Sequence, residues 1–279
     1  MAELLDNIAN NNGRDERPLS YEPMEAIQEH LAELFHVVQE ADRAVMEVYD
    51  NHSAIVEIKA DNSPITQADR ESHEIISKGL LEIFPEIPVV SEEGDDADNR
   101  NTVLGNLFWL VDPIDGTKEF INRTDEFSIC IALVENGIPV FAIVSAPALN
   151  IQYYGGPAMG SYKIEGGEAP QKLHVSREKV GVIVGSRSNR EAATDAYIAQ
   201  HYAGYDMIQI GSQLKMPLIA EGKADAFPRI DGPLHLWDLA AQQAILEGAG
   251  GVVTRPDGSL IDYREESLMA GDFVGKSTR

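Results

Sequence analysis

Between Met24 and Val48 the apolar positions Ile27, Leu31, Leu34, Phe35, Val38, Ala41, Val45 and Val48 return every three or four residues. That period lays one apolar stripe along a helix, so a single long amphipathic helix is expected from Met24 onward. A second helix is expected from Ala68 to Phe84, turning Ile75, Ile76, Leu80 and Leu81 toward a core and stopping at Pro85. Pro64 stands just ahead of it, which makes KADNSPITQAD (59–69) a turn that delivers Asp69 near a helix N-terminus. The period then changes. FSICIALVENG and IPVFAIVSAPA are β-branched runs parted by Asn136 and Gly137, a hairpin signature, and IQYYGG with GSYKI continues the meander. After about residue 180 strands and helices alternate: VGVIVGS, NREAATDAYIAQHY, MIQIG, QLKMPLIAEG, ADAFPRI, WDLAAQQAILEGAGG and GVVTRP. Alternation of this kind implies a mixed sheet covered by helices.

These textures divide the chain into a polar, frayed segment over residues 1–20, to which no role falls, and two halves over 21–179 and 180–279. No repeat or low-complexity linker separates the halves, so they are expected to share an interface in one compact α/β unit.

Composition narrows the function. With 279 residues and 43% hydrophobic content the chain can bury a large core. Its 22 basic and 46 acidic residues leave a formal charge of −24, which argues against a nucleic-acid polymer as partner. The same field repels small phosphate esters, so a phosphate site would need metal ions or helix N-termini to reverse it. The single Cys130, in SICIALV, reads as a small buried hydrophobe of a strand and fits a reducing compartment. The N-terminal stretch has no basic region leading into an apolar core, and no run of about 18 apolar residues occurs; a soluble, cytoplasmic protein is expected. The seven histidines lack the spacing of a structural zinc site.

The candidate chemistry begins at WLVDPIDGTKEF (109–120), where Asp112 and Asp115 leave an apolar stretch three residues apart. Alone, DPIDGT reads as a turn. Glu92 and Glu93 come just after the strand-like Val89-Val90, and Asp238 comes after Trp237 at a helix start. Singly these are a loop edge and a helix cap. Converging with Asp69, they would raise one another's pKa unless cations joined them. Magnesium prefers carboxylate and carbonyl oxygens, and two such ions can clamp a phosphoryl group. The Asp112-Pro-Ile-Asp115 turn can aim both side chains and the Ile114 carbonyl into one space. Gly116 lets the backbone approach closely, with the Gly116 and Thr117 amides free to hold a phosphate oxygen.

Over roughly residues 25 to 275 the chain resembles the inositol monophosphatase superfamily of magnesium-dependent, lithium-sensitive phosphatases, through Ser91-Glu92-Glu93-Gly94, WLVDPIDGT and WDLAAQQAILEGAGG in that order. The resemblance implies an α/β (α+β) fold, a layered α/β/α/β/α sandwich with an antiparallel sheet in the first half and a mixed sheet in the second. It also implies two or three Mg2+ held by Glu92, Asp112, the Ile114 carbonyl, Asp115 and Asp238. Asp69 with Thr117 would orient and deprotonate the attacking water, Asp69 also serving the third metal where three bind. Within the superfamily the 3'(2'),5'-bisphosphate nucleotidases of the CysQ type are the closer match. They share the K-x-D-N-S-P-x-T-x-A-D pattern, the DGTKEF turn with Lys118, Glu119 and Phe120, and a substrate segment like GSQLKMPLIAEGKADAFPR. Ser212, Lys215 and Arg229 would then hold the nucleotide. As plain alternatives, Lys215 is an exposed helix residue and Arg229 a partner for a surface carboxylate. One departure is Ser186-Arg187-Ser188-Asn189, where such enzymes commonly read Ser-Arg-Ser-His; the base contact is left unassigned by it.

The expected activity is hydrolysis of the 3'-phosphate of adenosine 3',5'-bisphosphate, and of its sulfated form if admitted, to AMP and phosphate. A small-molecule phosphate ester is thus the expected partner, and the resemblance permits a homodimer. The alternatives are an inositol or sugar monophosphate substrate, or an acidic cation-binding protein without catalysis.

Overall fold

The computed structural model describes residues 23–51, 56–58, 64–189 and 191–277. The expected frayed segment 1–20 and positions 59–63 of the Asp69 turn lie outside the described residues. The expected first helix is two, α1 (Pro23–Glu29) and α2 (Leu31–Asp50). They meet at His30, whose ψ of 18° leaves the helical range while its ring packs edge-on against Phe84 at 5.6 Å. A short hairpin, β1 (Val56–Ile58) and β2 (Pro64–Thr66), leads into α3 (Gln67–Ile83), within a residue of the expected bounds. Then come β3 (Val89–Ser91), α4 (Asp96–Thr102), β4 (Leu107–Asp115) and α5 (Thr117–Asn122). The meander is β5 (Ser128–Glu135), β6 (Ile138–Ala146), β7 (Ile151–Gly156), β8 (Gly160–Glu165) and β9 (Gln171–Lys172). Asn136 and Gly137, with φ of 51° and 78°, make the tight left-handed turn that the β5–β6 hairpin requires.

The second half runs β10 (Val182–Ser186), α6 (Ala192–His201), β11 (Asp206–Ile210), α7 (Lys215–Ala220), β12 (Ala226–Arg229), α8 (Trp237–Gly248), β13 (Val252–Thr254) and β14 (Phe273–Lys276). The helix expected over QLKMPLIAEG is shorter and is preceded by a 3-10 turn, Ser212–Leu214, because Ser212 is left-handed at φ 56°.

Strands β3 to β9 form one sheet in chain order, antiparallel except for the parallel pair β3–β4. The second sheet has the order β11-β10-β12-β14-β13 and is mixed. Alternate residues of β4, β5 and β6 serve two different cores. Phe108, Leu110, Cys130, Ala132, Val144 and Ala146 join the residues of α8 and the second sheet. Trp109, Val111, Ile129, Ile131, Phe141 and Ile143 join those of α2 and α3. Both faces of the sheet are therefore apolar, which explains the unbroken hydrophobic runs. At about 1.5–3 kcal/mol per large apolar side chain, this double burial is the main term holding the layers together. Helix α8, buried along Leu239 to Leu246, lies between the two sheets. The layered α/β/α/β/α order is the fold expected from the sequence. Among the described residues no helix is long and apolar enough to cross a membrane.

Candidate active site

Asp112 and Asp115 are an odd number of residues apart, so a regular strand would point them to opposite faces. The β4–β5 register resolves this: Asp112 pairs with Cys130 and Asp115 with Ser128, so three steps on β4 oppose two on β5. The bulge at Pro113-Ile114 turns both carboxylates to one side, and Ser72 of α3 pins it by donating to the Pro113 carbonyl at 2.9 Å. Gly116 then leaves the strand at φ 88°, where an added Cβ would sit 3.1 Å from the Glu126 carbonyl oxygen; a glycine is required to start α5 there.

Asp238, in the first turn of α8, joins the pair: carboxylate oxygens of Asp112, Asp115 and Asp238 lie within 4.8 Å of one another. The His235 amide donates to Asp238 at 2.7 Å, and the His235 ring stacks on Trp237 at 4.7 Å. Asp112 is 1% exposed and neither of its oxygens has a hydrogen-bond partner. Burial, then the charges of Glu92, Asp115, Asp238 and Asp69, hold its carboxyl far above the usual range. Burial likewise lifts Asp238 far up and raises Asp115, which Lys215 and the Ser212 hydroxyl partly offset. Among the described residues no Lys or Arg forms an ion pair with Asp112, Asp115 or Asp238, and Lys215 acts on Asp115 and Asp238 only as a neighbouring charge. The two unpartnered buried oxygens of Asp112, set among mutually repelling carboxylates, are a donor set a hard divalent cation takes. The residues present therefore fit such ions.

Glu92 stands at the end of β3, outside the group of three but facing Asp112 as its strongest neighbouring charge. Its strand end is fixed from behind by Asn99, whose amide donates to the Ser91 carbonyl at 2.7 Å and accepts the Ser91 N–H at 3.3 Å. Asp69 occupies the third position of α3. Its Oδ2 accepts the Thr66 N–H at 2.8 Å and the Thr66 hydroxyl at 2.6 Å, which turns Oδ1 toward the Thr117 hydroxyl at 3.4 Å. Thr117 also reaches the Ile114 carbonyl at 3.3 Å.

A cleft of about 190 Å³ opens beside these groups, lined by Glu92, Asp115, Gly116, Thr117 and Asp238 together with Lys118, Lys215 and Arg229. Lys215 is not an exposed helix residue: it lines the cleft, donates to the Ser212 carbonyl, and burial lowers its pKa against the pull of Asp115. Arg229, 4% exposed, donates to the Asn189 carbonyl and stands 3.7 Å from Glu191, while its Nε has no partner. Asn189, where the resemblance led to a histidine, accepts from Lys118 at 3.2 Å. Ser212 meets Ser128 hydroxyl to hydroxyl. Sequence reasoning missed Gln242, which lines the cleft and ties the Asp238 carbonyl to the Met216 amide at 2.8 and 3.4 Å. It also missed Glu126 and the Asn99 clip; isolated polar residues in loops and short helices carry no periodic signal. Cys130 is buried, 3.2 Å from the Ser128 hydroxyl, with burial raising its pKa far up; it is the small strand hydrophobe expected.

The chain is 39% identical over 244 residues to the 3'(2'),5'-bisphosphate nucleotidase CysQ of Escherichia coli, a match covering 86% of this chain and 97% of that one. It is 35% identical over 242 residues to the protein of the same name from Buchnera aphidicola, covering 86% and 89%. Among solved structures, CysQ from Bacteroides thetaiotaomicron, a bacterial member of the inositol monophosphatase family, superposes with a TM-score of 0.76 at 34% identity over 90% of this chain and 98% of that one. The family model described as inositol monophosphatase family matches residues 26–278, so the chain belongs to the inositol monophosphatase family.

Proposed function

We propose that the protein hydrolyses the 3'-phosphate of adenosine 3',5'-bisphosphate to AMP and phosphate with Mg2+ as its cofactor. The observation that carries this reading is a single cleft lined both by ion-ready carboxylates, Glu92, Asp115 and Asp238, and by Lys118, Lys215 and Arg229, which suits a substrate bearing two phosphates. The relatives named above bear this activity in their names. As a phosphatase of a metal-dependent family, the chain would hold two or three ions through Glu92, Asp112, the Ile114 carbonyl, Asp115 and Asp238, with Asp69 adjoining. Bound ions supply Lewis-acid neutralisation of the phosphoryl oxygens and of the departing alkoxide.

The chain's own groups do the rest. Thr117, held between Asp69 and the Ile114 carbonyl, orients the attacking water, and Asp69 accepts its proton. The new P–O bond forms in line as the P–O bond to the ribose 3'-oxygen breaks, and that oxygen is protonated from solvent. Gly116 and Thr117 amides face the phosphoryl oxygens, while Lys215 and Arg229 bind the 5'-phosphate, Arg229 with its unpaired Nε; Ser212 supports Lys215. On this reading residues 21–179 contribute most of the catalytic carboxylates, and residues 180–279 contribute Asp238 and the substrate contacts. A cation-binding module without catalysis would give no purpose to Thr117 beside Asp69 or to the glycine turn at Gly116.

The test is phosphate release from adenosine 3',5'-bisphosphate, inositol 1-phosphate and a sugar monophosphate, each with Mg2+, with chelator, and with Mg2+ plus Li+. Preference for the bisphosphate, abolished by chelator and inhibited by Li+, is expected. A preference for inositol 1-phosphate would overturn the substrate assignment and leave the chemistry.

A further inference from the structure

Glu126 lies in the loop between α5 and β5, outside the lining of the cleft, yet its carboxylate makes three hydrogen bonds to the second half of the chain. Arg187 donates to it through Nε at 2.5 Å and Nη2 at 2.6 Å, a two-pronged pairing. The Gly211 N–H donates to Oε2 at 2.7 Å. Arg187 also donates from Nη2 to the Gln209 carbonyl at 2.9 Å. One carboxylate therefore gathers the ends of two parallel neighbours, β10 and β11, against the first half. The fit is close: a Cβ at Gly211 would lie 2.7 Å from Glu119 Cγ and 2.7 Å from the Glu126 carbonyl oxygen. The seam continues along the same loop, with Ser188 donating to Glu119 at 2.5 Å and Lys118 to Asn189 at 3.2 Å.

The residue next to Gly211 gives the seam a purpose. Ser212 is left-handed at φ 56°, a conformation that a residue with a Cβ holds only when its surroundings impose it. On one side its hydroxyl meets Ser128 and bonds Asp115; on the other, Glu126 fixes the preceding peptide. The Ser212 carbonyl, aimed by that conformation, accepts from Lys215. Exposed ion pairs usually contribute little to stability. This one is better placed to set geometry, because the Glu126 side chain is only 16% exposed and serves a backbone amide as well as a guanidinium.

We infer that Glu126 is a positioning residue for substrate binding, holding Gly211 so that left-handed Ser212 presents Lys215 to the second anionic group of the substrate. The inference rests on the bisphosphate reading for the identity of that group, and on the geometry alone for the coupling of Glu126 to Lys215.

The test is a double-mutant cycle read as separate KM and kcat values with saturating Mg2+, on Glu126→Ala, Glu126→Gln, Lys215→Ala and the Glu126→Ala/Lys215→Ala pair. Glu126→Ala is expected to raise KM for adenosine 3',5'-bisphosphate about tenfold with kcat within about threefold of wild type. Glu126→Gln keeps an acceptor for the Gly211 N–H and should raise KM by about two- to threefold. The pair should bind no more than about twofold worse than Lys215→Ala alone, because residues acting through one another are non-additive. A loss in kcat with KM unchanged, or losses that multiply in the pair, would overturn the inference. If Glu126→Ala fails to fold, Glu126→Gln and its pair with Lys215→Ala carry the same comparison. If wild type ignores the bisphosphate and turns over another ester, the substrate reading fails by itself. The cycle on that ester then supports the coupling if it is non-additive and overturns it if the losses multiply.

Discussion

Asp42 tests whether burial rather than pairing governs the carboxylates of this fold. It projects from α2 toward β6, where Oδ2 accepts the Ser145 hydroxyl at 2.8 Å and Oδ1 is shut from water without a hydrogen-bond partner. Burial, only partly opposed by the Ser145 hydrogen bond, pushes its pKa from 3.8 up to about 7. The native state thus keeps a proton that the unfolded chain loses near pH 4. Stability falls as pH climbs from about 4 to about 7, and the full loss, about 4 kcal/mol at about 1.4 kcal/mol per pH unit, remains above that range. Asn at this position keeps an acceptor for Ser145 and cannot ionise, but it brings an N–H2 group costing about 1–3 kcal/mol if unpaired. Asp42→Asn should therefore be less stable than wild type at pH 4.5 and more stable at pH 8.5 by about 1–3 kcal/mol. Urea unfolding across that range, with chelator present so that every other carboxylate titrates alike in both proteins, measures the difference. A stability difference that does not change with pH would refute the reasoning.

Asp112→Asn preserves volume while removing the central charge of the cluster: phosphate release should fall by at least about a thousandfold, circular dichroism should be unchanged, and in chelator at pH 8 the variant should unfold later than wild type. Because the pKa values of Asp112, Asp115 and Asp238 are raised in the metal-free protein, Mg2+ must displace protons. The Mg2+-induced rise in melting temperature should be larger at pH 8 than at pH 5.5, and calorimetry in buffers of different ionisation enthalpy should register proton release. Lys215→Ala should raise KM for adenosine 3',5'-bisphosphate about tenfold and leave inositol 1-phosphate hydrolysis, where measurable, within about twofold; equal losses on both esters would remove Lys215 from second-phosphate binding.

The layers were legible because period and burial agree. Both faces of β4, β5 and β6 meet apolar helices, so their sequences are continuous hydrophobic runs, and Asn136-Gly137 marks the turn between two of them. Where local pattern and three-dimensional packing part, the sequence is silent. The kink at His30 depends on Phe84, fifty-four positions downstream. Strand β14 sits between β12 and β13 but is only Phe-Val-Gly-Lys, too short for a period. Helix α4, over Asp-Ala-Asp-Asn-Arg-Asn-Thr, has no apolar stripe and is begun by the Asp95 side chain, which accepts from the Ala97 and Asp98 amides at 2.9 and 3.1 Å. At the site, the carboxylates were visible as acids attached to the ends of apolar elements. The bulge that brings Asp112 and Asp115 to one side was not, since Pro113-Ile114 within a buried run reads equally as strand or turn. The Glu126–Arg187 pairing joins residues sixty-one positions apart, and nothing in either neighbourhood announces the other.

The cations and the carboxylates of the site also differ in what folding costs them. Arg229 and Lys215 reach carbonyls of Asn189 and Ser212, so burial of their charge is partly compensated within the protein. Asp112 has no such compensation: both oxygens are buried and unpartnered, and its nearest charged neighbours are carboxylates. Replacing one aspartate by an apolar residue would relieve the repulsion, so the cluster is retained against stability rather than for it. A protein with −24 net charge that nonetheless keeps its most repulsive carboxylates out of water, with Asp69 and Thr117 locked beside them, holds open the place of a cation. The binding of that cation and the stability of the fold are then one equilibrium, in which protons and metal ions compete for the same oxygens.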